Sequence, residues 1–158
     1  ERYPSSPWTI MRLGKVYGDN TANDKLFGGW IDAIENDRKI RIATDQAFSP
    51  IFIDDVIEAC LAGAEQKVTG LFCLCGVKRY SRDELLHMLI KSVRRYRSVD
   101  VEIEPCSIDD FNLPESRPKD ISMQSTKVIA STNVQITPTE FICDRVVDDY
   151  YDKKNKTQ

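Results

Sequence analysis

Apolar and polar residues alternate along this chain with two periods, one typical of strands and the other typical of helices. Strand-like spacing of apolar residues occurs at residues 8–16, 39–43, 51–53, 71–75 and 99–104. Helix-like spacing occurs between and after these stretches, at residues 24–35, 55–64, 81–96 and 137–150. Because strands and helices follow one another along the chain, the pattern predicts the α/β fold class. The stretch 39–43 is predicted to be exposed.

Capping signals mark the starts of three predicted helices. Residues 81–84 (SRDE) and 137–140 (TPTE) have the pattern of a capping box, the second with proline at the first helical position. Asp55 is expected to be an N-cap. The apolar face of its helix is predicted to comprise Val56, Ile57, Cys60, Leu61 and Ala64. The core face of the next helix is predicted to comprise Leu85, Leu86, Leu89, Ile90, Val93 and Tyr96. The last helix is predicted to bury Ile142, Val146 and Tyr150.

Composition and charge argue against several kinds of partner and site. The chain has 158 residues, 41% of them hydrophobic and 30% charged, with a net charge of −3. Such a chain is about one domain long, and its mild acidity argues against nucleic acid or an anionic membrane as the main partner. The five cysteines have no disulfide framework spacing, so we expect reduced thiols and a cytoplasmic protein. No metal site is expected, because the only histidine is remote from the paired Cys73 and Cys75.

The motifs of nucleotide-binding loops and of catalytic groups are missing from the chain. Its seven glycines form neither G-x-G-x-x-G nor G-x-x-x-x-G-K-[ST], so we expect no cofactor to be held here by such a loop. His87, the only histidine, is predicted on a charged helix face. Tyr150 and Lys154 have Y-x-x-x-K spacing, but they lie at the end of the last predicted helix, and we interpret the match as coincidence. We therefore predict no catalytic residue.

Arg117 is the most informative charged residue in a predicted loop. It is held by the adjacent Pro118, and an arginine so placed is well suited to bidentate recognition of a phosphate or carboxylate. The alternative is an ordinary surface arginine, and the residues alone leave both open.

Several segments, taken in order, resemble one enzyme superfamily. Residues 12–18 (RLGKVYG) resemble the R-x-x-x-V-Y-G strand of extended short-chain dehydrogenase/reductases. Residues 45–56 (DQAFSPIFIDDV) are similar to the D-Q-x-G-x-P-T segment of the dTDP-4-dehydrorhamnose reductase subgroup. Residues 70–76 (GLFCLCG) with the helix at Ser81, and Arg117-Pro118 with Lys127, resemble two later motifs. The subgroup includes rhamnose-pathway reductases, UDP-sugar epimerase/reductases and the β subunit of methionine adenosyltransferase.

The resemblance implies that this chain is the C-terminal, substrate-binding part of a Rossmann-type fold, a small mixed sheet with surrounding helices. The same resemblance implies that the N-terminal nucleotide-binding half, which carries the glycine fingerprint and the catalytic residues in that superfamily, is missing from this chain. We expect residues 1–7 to be a linker or truncation scar, residues 8–152 to form the substrate-binding domain with the late Rossmann strands, and residues 153–158 to be a disordered tail. The strand at 8–16 would then have an exposed edge, through which a homodimer or other pairing could form.

The resemblance also implies roles for individual residues. Cofactor contacts fall on Leu13 and Gly14, where the backbone of the superfamily passes the nicotinamide ring. Substrate contacts are expected at Lys15, Asn20, Gln46, Ser49 and Arg117. Lys15 departs from the asparagine or tryptophan common at its position, and Phe48 stands where relatives often have glycine.

The implied function is the substrate-binding half of an NADP- or NAD-dependent reductase or epimerase acting on a dTDP- or UDP-activated deoxyhexose. As this fragment the chain is expected to hold no cofactor and to be inactive. A regulatory or scaffold subunit of the same fold, similar to the methionine adenosyltransferase β subunit, is one alternative. A stand-alone sugar-nucleotide-binding module is another.

Overall fold

The computed structural model describes residues 7–18 and 26–156 of the chain, which form eight strands and five α-helices. The strands are β1 (Thr9–Leu13), β2 (Val16–Tyr17), β3 (Ile40–Ala43), β4 (Ala47–Phe48), β5 (Ile51–Phe52), β6 (Gly70–Leu74), β7 (Tyr80–Ser81) and β8 (Ile103–Cys106). The helices are α1 (Phe27–Glu35), α2 (Ile53–Glu65), α3 (Arg82–Val93), α4 (Thr126–Thr132) and α5 (Thr139–Lys156), with a 3₁₀ turn at Ile108–Asp110.

The strands pair two by two into a small mixed arrangement. β1 pairs with β6, β2 with β5 and β3 with β8, all in parallel, whereas β4 and β7 are antiparallel. Parallel partners need long crossover connections, and helices supply them here. The predicted α/β class with a small mixed sheet and surrounding helices is therefore confirmed.

The single strand predicted at residues 8–16 is divided into β1 and β2 at Gly14. The Gly14 N–H donates to the Leu74 carbonyl at 2.8 Å, completing the pairing with β6. The Lys15 carbonyl then accepts from Ile51 N–H at 2.9 Å, which begins the pairing with β5. The backbone thus changes partner at Gly14, a position where a Cβ atom would lie only 2.7 Å from the Ser49 carbonyl oxygen.

The two edges of β1 differ. One edge pairs with β6, and within the described residues the other has no partner strand. Two apolar side chains of this segment, Trp8 and Ile10, are exposed. An open strand edge beside exposed apolar groups is a common place for chains to associate, so pairing through β1 stays a prediction.

Two apolar cores hold the elements together. The larger core lies between α1, α3, α5 and β3, and its most completely buried members include Phe27, Ile31, Ile34, Ile42, Leu85, Leu86, Leu89 and Val93. The smaller one lies between α2, α4 and the strands β5 and β6, and comprises Ile51, Val56, Ala59, Phe72, Leu74, Val128 and Val134. Burial of apolar side chains in these two cores is the main source of stability in such layers.

The strand predicted at 39–43 is not exposed. Ile40 and Ile42 are buried in the larger core, and β3 pairs with β8 from Ile40 opposite Ile103. β8 begins at Ile103, later than the predicted position 99, and Val99 and Val101 pack against the core before the strand starts.

Helix α2 differs from its prediction in both its start and its buried face. It begins at Ile53, and Asp55 is a buried residue of its first turn whose carboxylate accepts from the backbone N–H and hydroxyl of Thr137 at 2.9 and 2.8 Å. Asp55 therefore does not cap α2. Two residues of the predicted apolar face, Ile57 and Leu61, are 51% and 60% exposed, since the helix packs through Val56, Ala59 and Gly63 instead.

Helix α3 confirms its predicted capping box. The Ser81 hydroxyl accepts from Glu84 N–H at 3.1 Å, and the Glu84 carboxylate accepts from Ser81 N–H at 2.6 Å. The five predicted core residues within the helix are buried. Tyr96 lies beyond its end at Val93 and is 43% exposed, with its ring stacked on Tyr151 at 4.3 Å between centroids.

Helix α5 begins at Thr139, two residues after the predicted cap, and extends to Lys156. It buries Ile142 and Val146 as predicted, whereas near its end Tyr151 rather than Tyr150 is buried. The helix thus continues past Asp152, where the sequence predicts a disordered tail. Its last turns are anchored to α1 because Tyr151 Oη donates to Glu35 Oε1 at 2.6 Å and Lys154 pairs with the same carboxylate.

Replacing Glu35 with glutamine is expected to lower the free energy of unfolding by about 2 kcal/mol at pH 7, because a buried charge-assisted hydrogen bond contributes 1.5–3 kcal/mol. Burial opposes the ionisation of Glu35, but hydrogen bonds from Lys154 and Tyr151 outweigh it and hold the pKa of Glu35 below its ordinary value of 4.5. The contribution of the Glu35 carboxylate to the free energy of unfolding is therefore complete above pH 4.5, and it is lost as the pH falls through the pKa of Glu35 in the folded state. Urea unfolding at several pH values measures this dependence.

The control for Glu35→Gln is Asp32→Asn on the same helix. Asp32 pairs with Arg38, but its side chain is 64% exposed, so its removal is expected to change the free energy of unfolding by less than about 1 kcal/mol. Equal effects of the two substitutions at pH 7 would contradict the role given to Glu35.

None of the helices in the described ranges is long and apolar enough to cross a membrane. The same residues contain no group of three or more histidine, cysteine, aspartate or glutamate side chains arranged to hold a metal ion. The five cysteines are free thiols.

Candidate functional site

A cavity of about 390 Å³ lies where β4, the start of α3 and the loop around the 3₁₀ turn meet the segment after β1. Its polar wall consists of Lys15, Gln46, Arg82 and Arg117. Its apolar wall consists of Phe48, Ile108, Phe111, Leu113 and Ile121. The fold thus brings together three of the predicted substrate residues, Lys15, Gln46 and Arg117, which are far apart along the chain.

Arg82 is a member of this wall that sequence reasoning missed. It is the first residue of α3, and its Nη1 donates to Gln46 Oε1 at 3.1 Å, while its own backbone N–H donates to the Gln46 carbonyl at 3.0 Å. The guanidinium carbon lies 5.7 Å from the centre of the Trp30 ring. Burial lowers the pKa of Arg82 below its ordinary value. The only signal in the sequence that could have pointed to Arg82 was its positive charge next to the predicted N-cap Ser81.

The three cations of the cavity differ from those just outside it. Within the described part of the chain, Lys15, Arg82 and Arg117 have no carboxylate within ion-pair distance. By contrast, Lys119 pairs with Asp45 at 2.9 Å, and Arg79 pairs with Asp120 at the same distance. An apolar-walled cavity with unneutralised cations concentrates positive potential and attracts anionic ligands.

The apolar wall is positioned by Asp45. Its carboxylate accepts from the Ser107 hydroxyl at 2.6 Å and the Ile108 backbone N–H at 2.8 Å, and it pairs with Lys119. These hydrogen bonds hold the pKa of Asp45 far below its usual range. The 3₁₀ turn is thereby fixed against β3 and β4, and it presents Ile108 and the Phe111 ring to the cavity.

The remaining predicted site residues lie elsewhere. Leu13, 45% exposed, and Gly14 are at the carboxyl end of β1, next to Lys15 but outside the cavity wall. Ser49 is 2% exposed and is not part of the wall, and its hydroxyl donates to the Met123 carbonyl at 3.3 Å. The structure therefore does not bring Ser49 into the cavity. Asn20 lies outside the described residues.

A second cavity, of about 560 Å³, lies between the start of β1 and the end of α2. Its wall is largely apolar and includes Met11, Cys60, Gly63 and Val68, with Lys67 as its charged residue. It contains none of the predicted site residues. The larger cavity is thus the less suitable one for a polar ligand.

The fold and the cavity together define a class of protein, an α/β domain with a cationic, apolar-walled cavity beside the carboxyl end of the parallel strand β1. A family model described as the RmlD substrate binding domain matches residues 3–151. The chain belongs to this family, which confirms the predicted resemblance to dTDP-4-dehydrorhamnose reductases. A search of curated proteins finds no match.

Solved structures with a similar fold include reductases and epimerases that act on sugar nucleotides. The dTDP-4-dehydrorhamnose reductase from Yersinia enterocolitica has a TM-score of 0.76 at 16% identity, with 90% of this chain and 49% of that chain covered. The dTDP-4-dehydrorhamnose reductase from Bacillus anthracis, in complex with NADP, has a TM-score of 0.72 at 20% identity, with 87% of this chain and 47% of that chain covered. The UDP-glucuronic acid 4-epimerase from Bacillus cereus, in complex with UDP-glucuronic acid and NAD, has a TM-score of 0.72 at 20% identity, with 96% of this chain and 46% of that chain covered. The chain thus spans about half the length of these proteins.

Proposed function

We propose that this chain is the substrate-binding part of an NADP- or NAD-dependent reductase or epimerase, and that its cationic cavity binds a nucleoside diphosphate sugar. The observation that carries the proposal is the set of cations without carboxylate partners in one apolar-walled cavity. A diphosphate supplies two negative charges to such cations, and the half-buried Phe111 ring offers an apolar surface for a base or sugar. Family membership supports the same ligand class.

The residues present do not form a dinucleotide site by themselves. The glycines of the chain make neither phosphate-binding pattern, and the space beside Gly14 is already filled by the Ser49 carbonyl and Cys75. Leu13 is exposed and could offer one apolar contact to a nicotinamide ring. We therefore assign the chain a role in holding and orienting the sugar nucleotide, and derive no hydride-transfer step from it.

Calorimetric titration of the chain tests the proposal. UDP-glucose and dTDP-glucose are expected to bind with dissociation constants below about 1 mM. This limit corresponds to a binding free energy of about −4 kcal/mol, which two charge-assisted contacts can supply. Uridine and glucose, which lack the diphosphate, are the matched controls and are expected to give no measurable heat. If neither sugar nucleotide bound, the proposal would be wrong and a regulatory or scaffold role would be favoured. Equal binding of uridine and UDP-glucose would also contradict it.

A further inference from the structure

The number of free cations in the cavity exceeds what a diphosphate requires. A nucleoside diphosphate sugar with a neutral hexose carries about two negative charges, both on the diphosphate. Among the residues that the structure describes, the cavity wall contains three cations, Lys15, Arg82 and Arg117, and no acidic side chain. A neutral sugar would therefore leave one positive charge without a partner.

Arg82 is the least able of the three to remain unneutralised. Lys15 and Arg117 are exposed, so water can solvate their charges, whereas Arg82 is half-buried between Gln46 and Trp30. A charge withdrawn from water is destabilising unless an opposite charge or several hydrogen bonds compensate for it. One hydrogen bond to the Gln46 amide oxygen compensates for only part of that loss.

The surroundings of Arg82 also orient its guanidinium. Hydrogen bonds to Gln46 from both the side chain and the backbone anchor the residue, and the Trp30 ring supports it. Only Nη1 is engaged by Gln46, so other N–H donors of the planar group remain for a ligand. A planar group with parallel donors matches a carboxylate, which accepts two hydrogen bonds in one plane.

We propose that the ligand of this cavity is a nucleoside diphosphate sugar acid, and that Arg82 binds the carboxylate of its sugar while Lys15 and Arg117 hold the diphosphate. This inference rests on the proposed function and narrows it from sugar nucleotides in general to those with a hexuronic acid. Arg82 is then the specificity-determining residue, because it distinguishes a sugar carboxylate from a hydroxymethyl group.

Titration of the chain with UDP-glucuronate and UDP-glucose tests the proposal, since these ligands differ only at the sugar C6. The unmodified chain is expected to bind UDP-glucuronate at least about tenfold more tightly than UDP-glucose, because one charge-assisted hydrogen bond contributes that much affinity. Arg82→Gln is expected to abolish this preference and to change the affinity for UDP-glucose by less than about threefold. Arg82→Lys retains the charge without the planar donors and is expected to keep a reduced preference.

Arg79→Gln is the matched control. It removes an arginine three residues before Arg82, and Arg79 already pairs with Asp120. It is expected to leave the preference unchanged. Circular dichroism and the thermal midpoint of each variant show whether it is folded, and a folded Arg82→Lys variant keeps the test valid if Arg82→Gln does not fold.

Three results would overturn the inference. Equal affinity of the unmodified chain for both ligands would leave the proposed function intact and remove the sugar-acid specificity. An equal loss of affinity for both ligands in Arg82→Gln would assign Arg82 to the diphosphate. Failure of the unmodified chain to bind either ligand would overturn the proposed function as well.

Discussion

Replacing Gly76 with alanine is expected to lower the free energy of unfolding by about 3 kcal/mol or more, because overpacking against a backbone that cannot yield destabilises at the upper end of its usual range. Gly76 is buried directly after β6, and a Cβ atom there would lie 2.0 Å from the Pro50 carbonyl oxygen and 3.1 Å from its carbon. Both atoms belong to backbone, so no side-chain rotation can relieve the overlap.

The overlap also reaches the hydrogen bonds around the site. The Gly76 N–H donates to the Ser49 carbonyl at 3.3 Å, and the same carbonyl oxygen packs against Gly14. Moving the Ser49–Pro50 backbone away from an alanine at position 76 would therefore disturb the segment that leads into Lys15. Urea unfolding followed by circular dichroism measures the loss of stability.

Gly29→Ala is the control for this prediction. Gly29 is an exposed residue of α1 with no atom within 4 Å of the position of an added Cβ. Alanine is favoured over glycine in a helix by about 0.5–1 kcal/mol, so this variant is expected to be slightly more stable than the unmodified chain. If the two alanine variants had equal stability, the close approach of Gly76 and Pro50 would be contradicted.

Removing both exposed cations of the cavity is expected to have the largest effect on ligand binding. The double variant Lys15→Gln/Arg117→Gln should bind UDP-glucose about 100-fold more weakly, since each charge-assisted contact contributes about tenfold. Because both residues are exposed surface positions, the free energy of unfolding should change by no more than about 0.5 kcal/mol. Calorimetry measures the affinity, and urea unfolding measures the stability.

The matched double variant is Lys39→Gln/Arg79→Gln, which removes the same two residue types outside the cavity. Lys39 pairs with Glu102 and Glu104, and Arg79 pairs with Asp120. Its affinity for UDP-glucose is expected to stay within about threefold of the unmodified value at 0.15 M salt, where distant charges are screened. An equal weakening in both double variants would show that net charge, and not the cavity, governs binding.

Local patterns predicted those parts of the fold that depend on neighbouring residues. The capping box at Ser81 and Glu84 joins residues three apart, and the core face of α3 follows from its apolar periodicity. The buried face of α2 could not be predicted in the same way, because apolar residues such as Ile57 and Leu61 surround much of that helix. The carboxylate of Asp55 is used by Thr137, a contact between residues remote in sequence that capping rules do not include.

Only part of the candidate site could be predicted, because its residues come together from distant parts of the chain. Lys15, Gln46 and Arg117 were identified through motifs, and the fold gathers them in one cavity. Arg82 was missed because it reaches the cavity only through the antiparallel pairing of β4 with β7, which brings Gln46 beside the start of α3. Ser49 belongs to a matched motif, yet it lies between two short strands, where alternation does not determine which way a side chain points.

The central claim, that the cationic cavity binds a nucleoside diphosphate sugar, is tested most directly by NMR titration of the ¹⁵N-labelled chain with UDP-glucose. The account predicts that the amide resonances of Lys15, Gln46, Arg82 and Arg117 shift together along one saturable curve. Amides around the apolar cavity, such as those of Cys60, Gly63 and Val68, should remain unchanged. Saturable shifts confined to the apolar cavity, or no shifts at millimolar ligand, would contradict the account.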